Sequence, residues 1–323
     1  MILDRDYYRR NQTDAMLALK QDLDEKNQSG GYVGVNDSGS VFMGASPVTF
    51  DSIASLSAGS NITQSGNNGL QSGSANTQSG DNNTQSGSDN IQSGNNGLQS
   101  GSANTQSGYY GLQSGSANTQ SGNNGLQSGS ANTQTGYNST QSGSSNTQTG
   151  DSGLQSGYNN TQSGNNGLQS GDSADDFGLY GSRTHAAGRF AASGDAQIIE
   201  LVARRSTTNA TPAELFLDGS SLQCVLQNDS TYFFNIEVAA RRTDADGESA
   251  AYKLEGCIDR NANAASTALV GTVLKTVLAE DNTAWDVSAT ADTTNGALAL
   301  TVTGEAAKTI YWVSYIKLVK VTG

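Results

Sequence analysis

Few residues of this 323-residue sequence have the types and spacing that catalysis requires. The chain has a single histidine, His185, so a Ser-His-Asp hydrolase would have to use it as the base, and nothing near it marks an activated serine. Asp175 and Asp176 are adjacent carboxylates, and glycoside cleavage uses carboxylates in pairs. Neighbours on an extended chain point to opposite faces, however, so adjacency alone does not make an acid/base pair. We predict no catalytic residues and expect these three to lie in a solvated linker.

Metal ligands and reactive thiols are equally sparse. Asp244, Asp246 and Glu248 resemble a fragment of a calcium loop, but the further ligands of that loop are missing, so a polar hairpin turn is the favoured interpretation. Cys224 and Cys257 lie among apolar residues in strand-like segments, which indicates buried thiols, with a disulfide between them as the alternative. We therefore predict neither a metal site nor a cofactor.

The chain between residues 64 and 171 repeats a heptapeptide, Gln-(Ser/Thr)-Gly-x-x-x-(Leu/Thr/Ile), without an insertion. One Gly per heptad costs about 1 kcal/mol in a helix interior, and each heptad has at most one frame position that is apolar, which excludes a coiled coil. Collagen needs Gly at every third position and is excluded too. The unbroken register favours an ordered β-solenoid shaft over a flexible stalk, which stays the alternative. The frame residues of the first copies are Gln64, Gly66, Leu70, Gln71, Gly73 and Thr77.

A second period of fourteen residues is superimposed on the heptads, because Leu recurs on one phase and Thr or Ile fills the other. One coil should therefore have fourteen residues, with two short strands, two Gly-containing turns and two unequal faces. Successive side chains of a strand alternate, so Gln lies on the face opposite to Leu, Thr and Ser. Stacked coils would place Gln on Gln, where amide ladders can form along the axis.

The freely varying positions of the heptad carry the side chains best suited to contacting a ligand. Heptad positions that vary freely next to the constant Gln and Gly are expected to be exposed at a turn. Exposed Tyr, Asn and Asp are residue types that stack on sugars or form hydrogen bonds with them. They are also ordinary turn residues, which is the competing interpretation. The candidate surface-binding residues are Tyr109, Tyr110, Tyr137 and Tyr158.

The residues that precede the repeat predict a short helix and a hairpin. Residues 11–26 have helical spacing of their apolar side chains, and the stripe of Met16, Leu19 and Leu23 is a candidate oligomerisation surface that is too short to be a stable helix alone. A turn signal follows at residues 36–39.

The residues that follow the repeat have an ordinary globular composition. Many strand patterns alternate there with turn signals at regular spacing, which is typical of an antiparallel β-sandwich or jelly roll. The predicted fold class is all-β with a short N-terminal helix. The predicted segments are 1–62 (helix and hairpin), 63–171 (solenoid), 172–187 (linker) and 188–323 (β-sandwich).

Composition excludes two classes of partner. The formal net charge of −13 leaves no basic surface for nucleic acid. No run of about 20 apolar residues is present, so no membrane insertion is expected, and the first residues lack the apolar core of a secretory signal.

Two regions of the chain carry a resemblance to bacteriophage tail-fibre proteins. Residues 22–34, DLDEKNQSGGYVG, resemble the N-terminal segment of those proteins where a short helix precedes an Asn-Gly-Tyr motif. The C-terminal region resembles a domain at the ends of phage virion structural proteins. The matching stretches there are residues 188–190, 211–219, 240–244 and 256–260.

The resemblance implies a non-enzymatic tail fibre of the virion, made in the host cytoplasm. It implies a homotrimer, an N-terminal segment attached to other virion proteins, and a distal head that binds a glycan or protein of the host surface. The heptads separately look like those of trimeric bacterial adhesin heads, so a bacterial extracellular adhesin or self-assembling filament subunit is the first alternative. A glycan depolymerase is the second.

Overall fold

The computed structural model describes residues 34–35, 41–42 and 56–323. The predicted N-terminal helix, with Met16, Leu19 and Leu23, lies outside these residues. Throughout the described part the chain is all-β, as predicted, and its one helical element is a three-residue 3₁₀ helix. The chain divides into two compact units, of which one ends at Gln120 and the other begins at Ser121.

The first unit contains a short antiparallel strand pair and five coils of a β-solenoid. In each coil a five-residue strand precedes a two-residue strand, and within this unit the equivalent strands of successive coils, fourteen residues apart, pair in parallel. The coil length agrees with the fourteen-residue period of the sequence. The strands are β1 (Gly34–Val35), β2 (Val41–Phe42), β3 (Leu56–Ser60), β4 (Thr63–Gln64), β5 (Leu70–Ser74), β6 (Thr77–Gln78), β7 (Thr84–Ser88), β8 (Ile91–Gln92), β9 (Leu98–Ser102), β10 (Thr105–Gln106), β11 (Leu112–Ser116) and β12 (Thr119–Gln120).

The second unit begins with four coils of the same construction. Its long and short strands again pair in parallel and in register. In the fourth coil a single parallel bridge between Thr161 and Asp175 takes the place of the short strand. The strands are β13 (Leu126–Ser130), β14 (Thr133–Gln134), β15 (Thr140–Ser144), β16 (Thr147–Gln148), β17 (Leu154–Tyr158), β18 (Thr161–Gln162) and β19 (Leu168–Asp172).

The interior of the coils is polar. Gln127, Gln141 and Gln155 are fully buried, whereas Leu126 on the opposite face is 40% exposed. The Nε2 atom of each glutamine donates to Oε1 of the next, at 2.8 Å from Gln127 to Gln141 and 2.8 Å from Gln141 to Gln155. The alternation of Gln against Leu was predicted, and the structure shows that the Gln face is inside.

A column of asparagines closes the turn between the long and short strands. Asn146 is buried, and its Nδ2 donates to the backbone oxygens of Ser142 at 3.0 Å and Gly157 at 2.9 Å. Its Oδ1 accepts the backbone N–H of Asn160 in the next coil at 3.0 Å. One amide side chain thus pairs backbone groups of two successive coils.

The invariant glycines are required because stacked coils approach each other closely. Gly143 has φ 105°, and a Cβ on it would lie 1.9 Å from the backbone oxygen of Gly157. A Cβ on Gly136, in the other heptad phase, would lie 2.0 Å from the backbone oxygen of Gly150. No side chain fits at either place without separating the coils.

The remainder of the second unit consists of two antiparallel sheets. The larger has the order β26-β25-β24-β30-β21-β20 with β27 also beside β25, and the smaller has the order β22-β29-β23 with β28 beside β29. The jelly-roll topology stays a prediction. The elements are β20 (Arg183–Ala187), β21 (Ala196–Thr207), β22 (Ala213–Glu214), β23 (Cys224–Val225), β24 (Ser230–Arg242), β25 (Ser249–Arg260), the 3₁₀ helix η1 (Ala264–Ser266), β26 (Ala268–Leu269), β27 (Leu274–Glu280), β28 (Asp286–Asp292), β29 (Ala297–Thr303) and β30 (Ile310–Thr322).

One apolar core contains residues of both sheets. Strands β24 and β30 alternate between buried residues and more exposed ones along almost their whole length, so each contributes one face to the core. Trp285 and Trp312 meet in this core with ring centroids 5.7 Å apart, and the Trp312 indole Nε1 donates to Thr207 Oγ1 at 2.9 Å.

Strand β20 joins the coils to the antiparallel sheet within the second unit. It pairs in parallel with β19 on one side and antiparallel with β21 on the other. It lies inside residues 172–187, for which the sequence predicts a linker. The buried side chains of β20 are Thr184 and Ala186, which are short. Short side chains between glycines are typical of a linker, so the sequence did not indicate a strand here.

Candidate functional site

The four candidate tyrosines are exposed, as the turn positions predicted. Tyr109 and Tyr110 in the first unit are 50% and 64% exposed, and Tyr137 and Tyr158 in the second unit are both 53% exposed. None of the four lines either of the two cavities described below. Their role as surface-binding residues stays a prediction.

The frame residues of the first repeat copies have structural positions in the first unit. Gln71 is fully buried and donates from Nε2 to Gln85 Oε1 at 2.5 Å, while Leu70 on the other face is 46% exposed. Thr77 is exposed, Gln64 accepts the Ser57 hydroxyl at 2.7 Å, and a Cβ on Gly66 or Gly73 would strike the backbone oxygen of the next coil. These residues maintain the stack.

Asp175 and Asp176 lie in a packed junction, so the expectation of a solvated linker is wrong for these two residues. Asp176 is buried and accepts hydrogen bonds from the backbone N–H groups of Ser163, Gly164 and Gly178. It stands fourteen residues after the last glutamine of the short-strand column and closes that column with a carboxylate. Asp176 therefore has a structural role.

Asp175 is partly buried and faces a buried lysine. Burial is the largest cause that raises the pKa of Asp175 to about 6, and the charge of Asp176 adds to it. Burial also lowers the pKa of Lys320 to about 8, against the opposing charges of Asp175 and Asp195. The Lys320 ammonium lies 4.3 Å from the centroid of the Phe177 ring. The cluster ties the C-terminal strand to the end of the coils.

His185 and the cysteines have ordinary surroundings. His185 is exposed in β20, with Nδ1 3.0 Å from the Ser170 hydroxyl. Cys224 is a buried free thiol whose pKa burial raises to about 12, and Cys257 is a partly buried free thiol. Cys224 and Cys257 therefore do not form a disulfide with each other.

The calcium-like fragment is a charged hairpin between β24 and β25. Arg242 forms ion pairs of 2.9 Å with Asp244 and 2.9 Å with Glu248. Within the part of the chain that the structure describes, no group of three His, Cys, Asp or Glu side chains is placed to hold a metal ion. Over the same residues no helix is long and apolar enough to cross a bilayer.

Two carboxylates that no sequence motif indicates lie close together on the smaller sheet. Glu214 ends β22 and Asp292 ends β28, and both strands pair with β29. The Gln223 Nε2 lies 2.9 Å from Glu214 Oε1 and 3.0 Å from Asp292 Oδ2 and donates to both. The two carboxylate oxygens are therefore less than about 6 Å apart, an upper bound that includes the roughly 5–5.5 Å separation of the carboxyl groups in retaining glycosidases.

The surroundings of the two carboxyl groups move their pKa values in opposite directions. Burial raises the pKa of Glu214, with a further increase from the charge of Asp292 and opposing effects of Gln223 and Arg205. Burial alone would raise the pKa of Asp292 too, but hydrogen bonds from the side chain and backbone of Asn295 and from Thr294 lower it. A pair with one protonatable and one ionised member is the arrangement that acid/base chemistry needs.

An aromatic-lined cavity adjoins this pair. Its volume is about 370 Å³, within the range of small-molecule sites. Gln223 and Asn295 line it, and they are also the side chains that donate to Asp292, Asn295 at 2.8 Å. The remaining lining residues are Phe177, Gly178, Leu179, Tyr180, Ser221, Leu222 and Val225. The carboxylates thus lie directly behind one wall of the cavity.

A second cavity, the arginine groove, lies at the C-terminal end of β21. Its volume is about 390 Å³. Within the described residues neither Arg204 nor Arg205 forms an ion pair. Tyr311 in this groove is 56% exposed. The lining residues are Arg204, Arg205, Ser206, Asp218, Gly219, Ser220, Tyr311, Trp312 and Val313.

The carboxylate pair escaped the sequence analysis for a physical reason. Glu214, Gln223 and Asp292 are spread over 79 positions and belong to no motif, so only the pairing of β22, β23 and β28 with β29 brings them together. The one available signal is the Asp-Thr-Thr-Asn-Gly turn that begins at Asp292, which predicts a turn and not a site.

Comparison with known proteins identifies distant structural neighbours only. No protein-family model matches the chain, and no curated protein matches it. The tailspike protein of Acinetobacter baumannii phage AM24 is similar over 84% of this chain and 57% of its own, with 11% identity and a TM-score of 0.24. The tailspike of Acinetobacter phage vB_ApiP_P1 covers 91% of this chain and 58% of its own, with 11% identity and a TM-score of 0.24.

A third structural neighbour is the tailspike protein of Acinetobacter baumannii bacteriophage Fri1, described as a capsular polysaccharide depolymerase. It covers 85% of this chain and 49% of its own, with 10% identity and a TM-score of 0.23. The chain thus spans about half to three-fifths of the length of these neighbours. The expectation that the chain is not an enzyme is contradicted by this neighbour, which is an enzyme.

Proposed function

We propose that the chain is part of a bacteriophage tail and that it attaches to a polysaccharide of the host surface and cleaves it. The observation that carries the proposal is the Glu214–Asp292 pair behind the wall of the aromatic-lined cavity. Phage tailspikes as structural neighbours support the virion context, and the description of one as a depolymerase supports cleavage. The exposed tyrosines on the coils supply further contact surface.

The opposite pKa shifts assign a role to each carboxyl group. Glu214, whose pKa is raised, is the general acid: it donates its proton to the glycosidic oxygen as the bond from that oxygen to the anomeric carbon breaks. Asp292, whose pKa is lowered, attacks the anomeric carbon and forms a glycosyl ester. Water then attacks the anomeric carbon, Glu214 takes up its proton, and Asp292 leaves as a carboxylate. A bound sugar reaches the pair by displacing the Gln223 amide that bridges it.

The homotrimeric state and the attachment of the N-terminal segment to other virion proteins stay predictions. Light scattering of the purified chain measures the first of these. A stable species of three copies would agree with a fibre-like arrangement in which several sites bind one surface, because linked sites gain avidity.

The test of cleavage uses purified capsular polysaccharides and measures the release of reducing ends. Wild-type chain should release them from at least one polysaccharide, and Glu214→Gln or Asp292→Asn should lower the rate by about 10²-fold or more. Glu237→Gln, which makes the same chemical change at an exposed strand position, serves as the control and should keep the rate. Full activity of both site variants would refute the assignment of the pair.

A further inference from the structure

The arginine groove contains cationic side chains whose charge the protein does not neutralise directly. The Arg204 guanidinium donates to backbone oxygens, Nη2 to Asp218 at 2.6 Å and Nη1 to Leu217 at 3.4 Å, and not to a carboxylate. The Arg205 guanidinium lies 5.4 Å from the centroid of the Phe216 ring. Arg204 and Arg205 are not the only described arginines without an ion pair, but they are the two that line this groove, in a chain with a formal net charge of −13.

Asp218, the one acidic residue that lines the groove, is hydrogen-bonded to its own loop. The Asp218 carboxylate accepts the backbone N–H groups of Ser220, Ser221 and Leu222 at 2.9, 2.8 and 3.0 Å, and the Ser220 hydroxyl at 2.6 Å. The Ser220 hydroxyl bond and the backbone bonds hold the pKa of Asp218 far below its usual range. Asp218 therefore shapes the loop and does not pair with Arg204.

The loop holds Arg204 at the groove through a glycine. Gly219 has φ 85°, and a Cβ on it would lie 3.0 Å from Arg204 Nε and 3.3 Å from Arg204 Cζ. The bonds to the loop backbone and this close approach fix the plane of the guanidinium. A fixed guanidinium plane is the donor arrangement that matches the two oxygens of a carboxylate.

The rest of the groove suits a sugar ring. Tyr311 and Val313 project from the exposed face of β30 and are 56% and 48% exposed. A tyrosine ring offers an apolar face for the C–H groups of a pyranose and a hydroxyl at its edge. The exposed hydroxyl groups of Ser206 and Ser220 line the same groove.

We propose that the arginine groove binds a hexuronate unit of the polysaccharide, with the sugar carboxylate on Arg204 and the ring against Tyr311. This rests on the proposed function, and it names the sugar class that the protein selects. Arg205 also lines the groove, and its charge lowers the pKa of Glu214 against the effect of burial.

The experiment measures binding by titration calorimetry with two probes, a glucuronate-containing and a galacturonate-containing tetrasaccharide, each compared with its carboxyl-reduced form. The wild-type chain should bind at least one acidic probe, and reduction of its carboxyl groups should weaken binding at least about 10-fold, as should Arg204→Gln. Arg204→Lys keeps the charge but loses the fork and should recover only part of the affinity. Arg189→Gln, at an exposed arginine outside the groove, is the control.

Tyr311→Ala keeps the test decisive if Arg204→Gln misfolds, because Tyr311 is exposed and its removal should weaken binding without unfolding the chain. Equal binding of acidic and reduced probes, unchanged binding by the Arg204 and Tyr311 variants, or no binding of either acidic probe at millimolar concentration would overturn the proposal. Calorimetry reports binding and the release of reducing ends reports cleavage, so the two proposals are tested separately. Uronate binding without release of reducing ends refutes cleavage alone, and release of reducing ends with no effect of Arg204→Gln refutes the groove alone.

Discussion

The interior of the coils and the core beneath the C-terminal sheets are equally buried but have opposite chemistry. Gln141 and Asn146 are inside the coils, where every neighbour along the axis is an identical or similar amide. Trp312 and Phe234 are inside the C-terminal core among aliphatic and aromatic side chains. Directional hydrogen bonds specify which residue stacks on which, whereas apolar contact specifies mainly volume. A chain built mostly of Gln, Ser, Gly and Asn can therefore be ordered in the repeat.

Buried amides of the long-strand column bond to their partners in the next coil, whereas the Gln148 amide in the short-strand column has no partner among the described residues. An unpaired buried amide costs about 1–3 kcal/mol, so the ends of such a stack need a different solution. In the second unit Asp176 provides it, because its carboxylate accepts N–H groups where no further glutamine follows. The apolar core needs no such ending.

The largest expected effect is on the apolar side of this comparison. Trp312→Ala removes a fully buried ring and its contact with Trp285, and it should lower the free energy of unfolding by about 3–5 kcal/mol. Fluorescence of the remaining Trp285 during urea unfolding measures this loss. Val313→Ala, one residue away on the exposed face, is the control and should cost less than about 1 kcal/mol. Similar losses for the two variants would contradict the assignment of the core.

The second effect separates the two glutamine columns of the coils. Gln141→Leu removes the 2.8 Å bond to Gln155 and the acceptor of Gln127, and it should cost about 2–3 kcal/mol. Gln148 is equally buried, but neither polar atom of its side chain has a hydrogen-bond partner among the described residues. Gln148→Leu should leave stability unchanged or raise it. Hydrogen exchange of the coil amides measures both, and equal losses would show that the two columns contribute alike.

The smallest effect is expected at Asp175 and Lys320, where the coils of the second unit meet the C-terminal strand, and it depends on pH. The pKa of Asp175 is raised to about 6, so the folded chain holds this proton more tightly than the unfolded chain. The resulting stabilisation is complete at acidic pH and is lost as the pH rises from about 4 to 6, a change on the order of 1 kcal/mol for a partly exposed group. Lys320, with its pKa lowered to about 8, acts in the opposite sense: stability rises between about pH 8 and 10.5.

The measurement for this third effect is the free energy of unfolding at a series of pH values for the wild-type chain and for Asp175→Asn. The decline between about pH 4 and 6 should be smaller in the variant than in the wild type, because Glu214, whose pKa is also raised, still contributes to it. An identical slope in both chains would exclude Asp175 as its source.

The repeat was predictable from sequence, and the sites were not. The heptad spacing of Gln and Gly, with Leu on one phase and Thr or Ile on the other, sufficed to predict a fourteen-residue coil of two short strands, but not that the strands have five and two residues. The inside face was undetermined, because Gln71 and Leu70 alternate equally well and only the stacked geometry shows that glutamine amides pair along the axis. Glu214 and Asp292 meet through long-range strand pairing, which leaves no periodic trace in a sequence.

The in-register stacking of near-identical coils has a consequence for the gene. Deleting the fourteen residues of β15, β16 and their turns would set β17 on β13 with Leu on Leu, Gln on Gln and Gly on Gly, whereas deleting seven would set a long strand on a short one. Unequal recombination between such repeated DNA units adds or removes whole units. Related genes should therefore differ in length by steps of one coil, each about 4.8 Å of shaft.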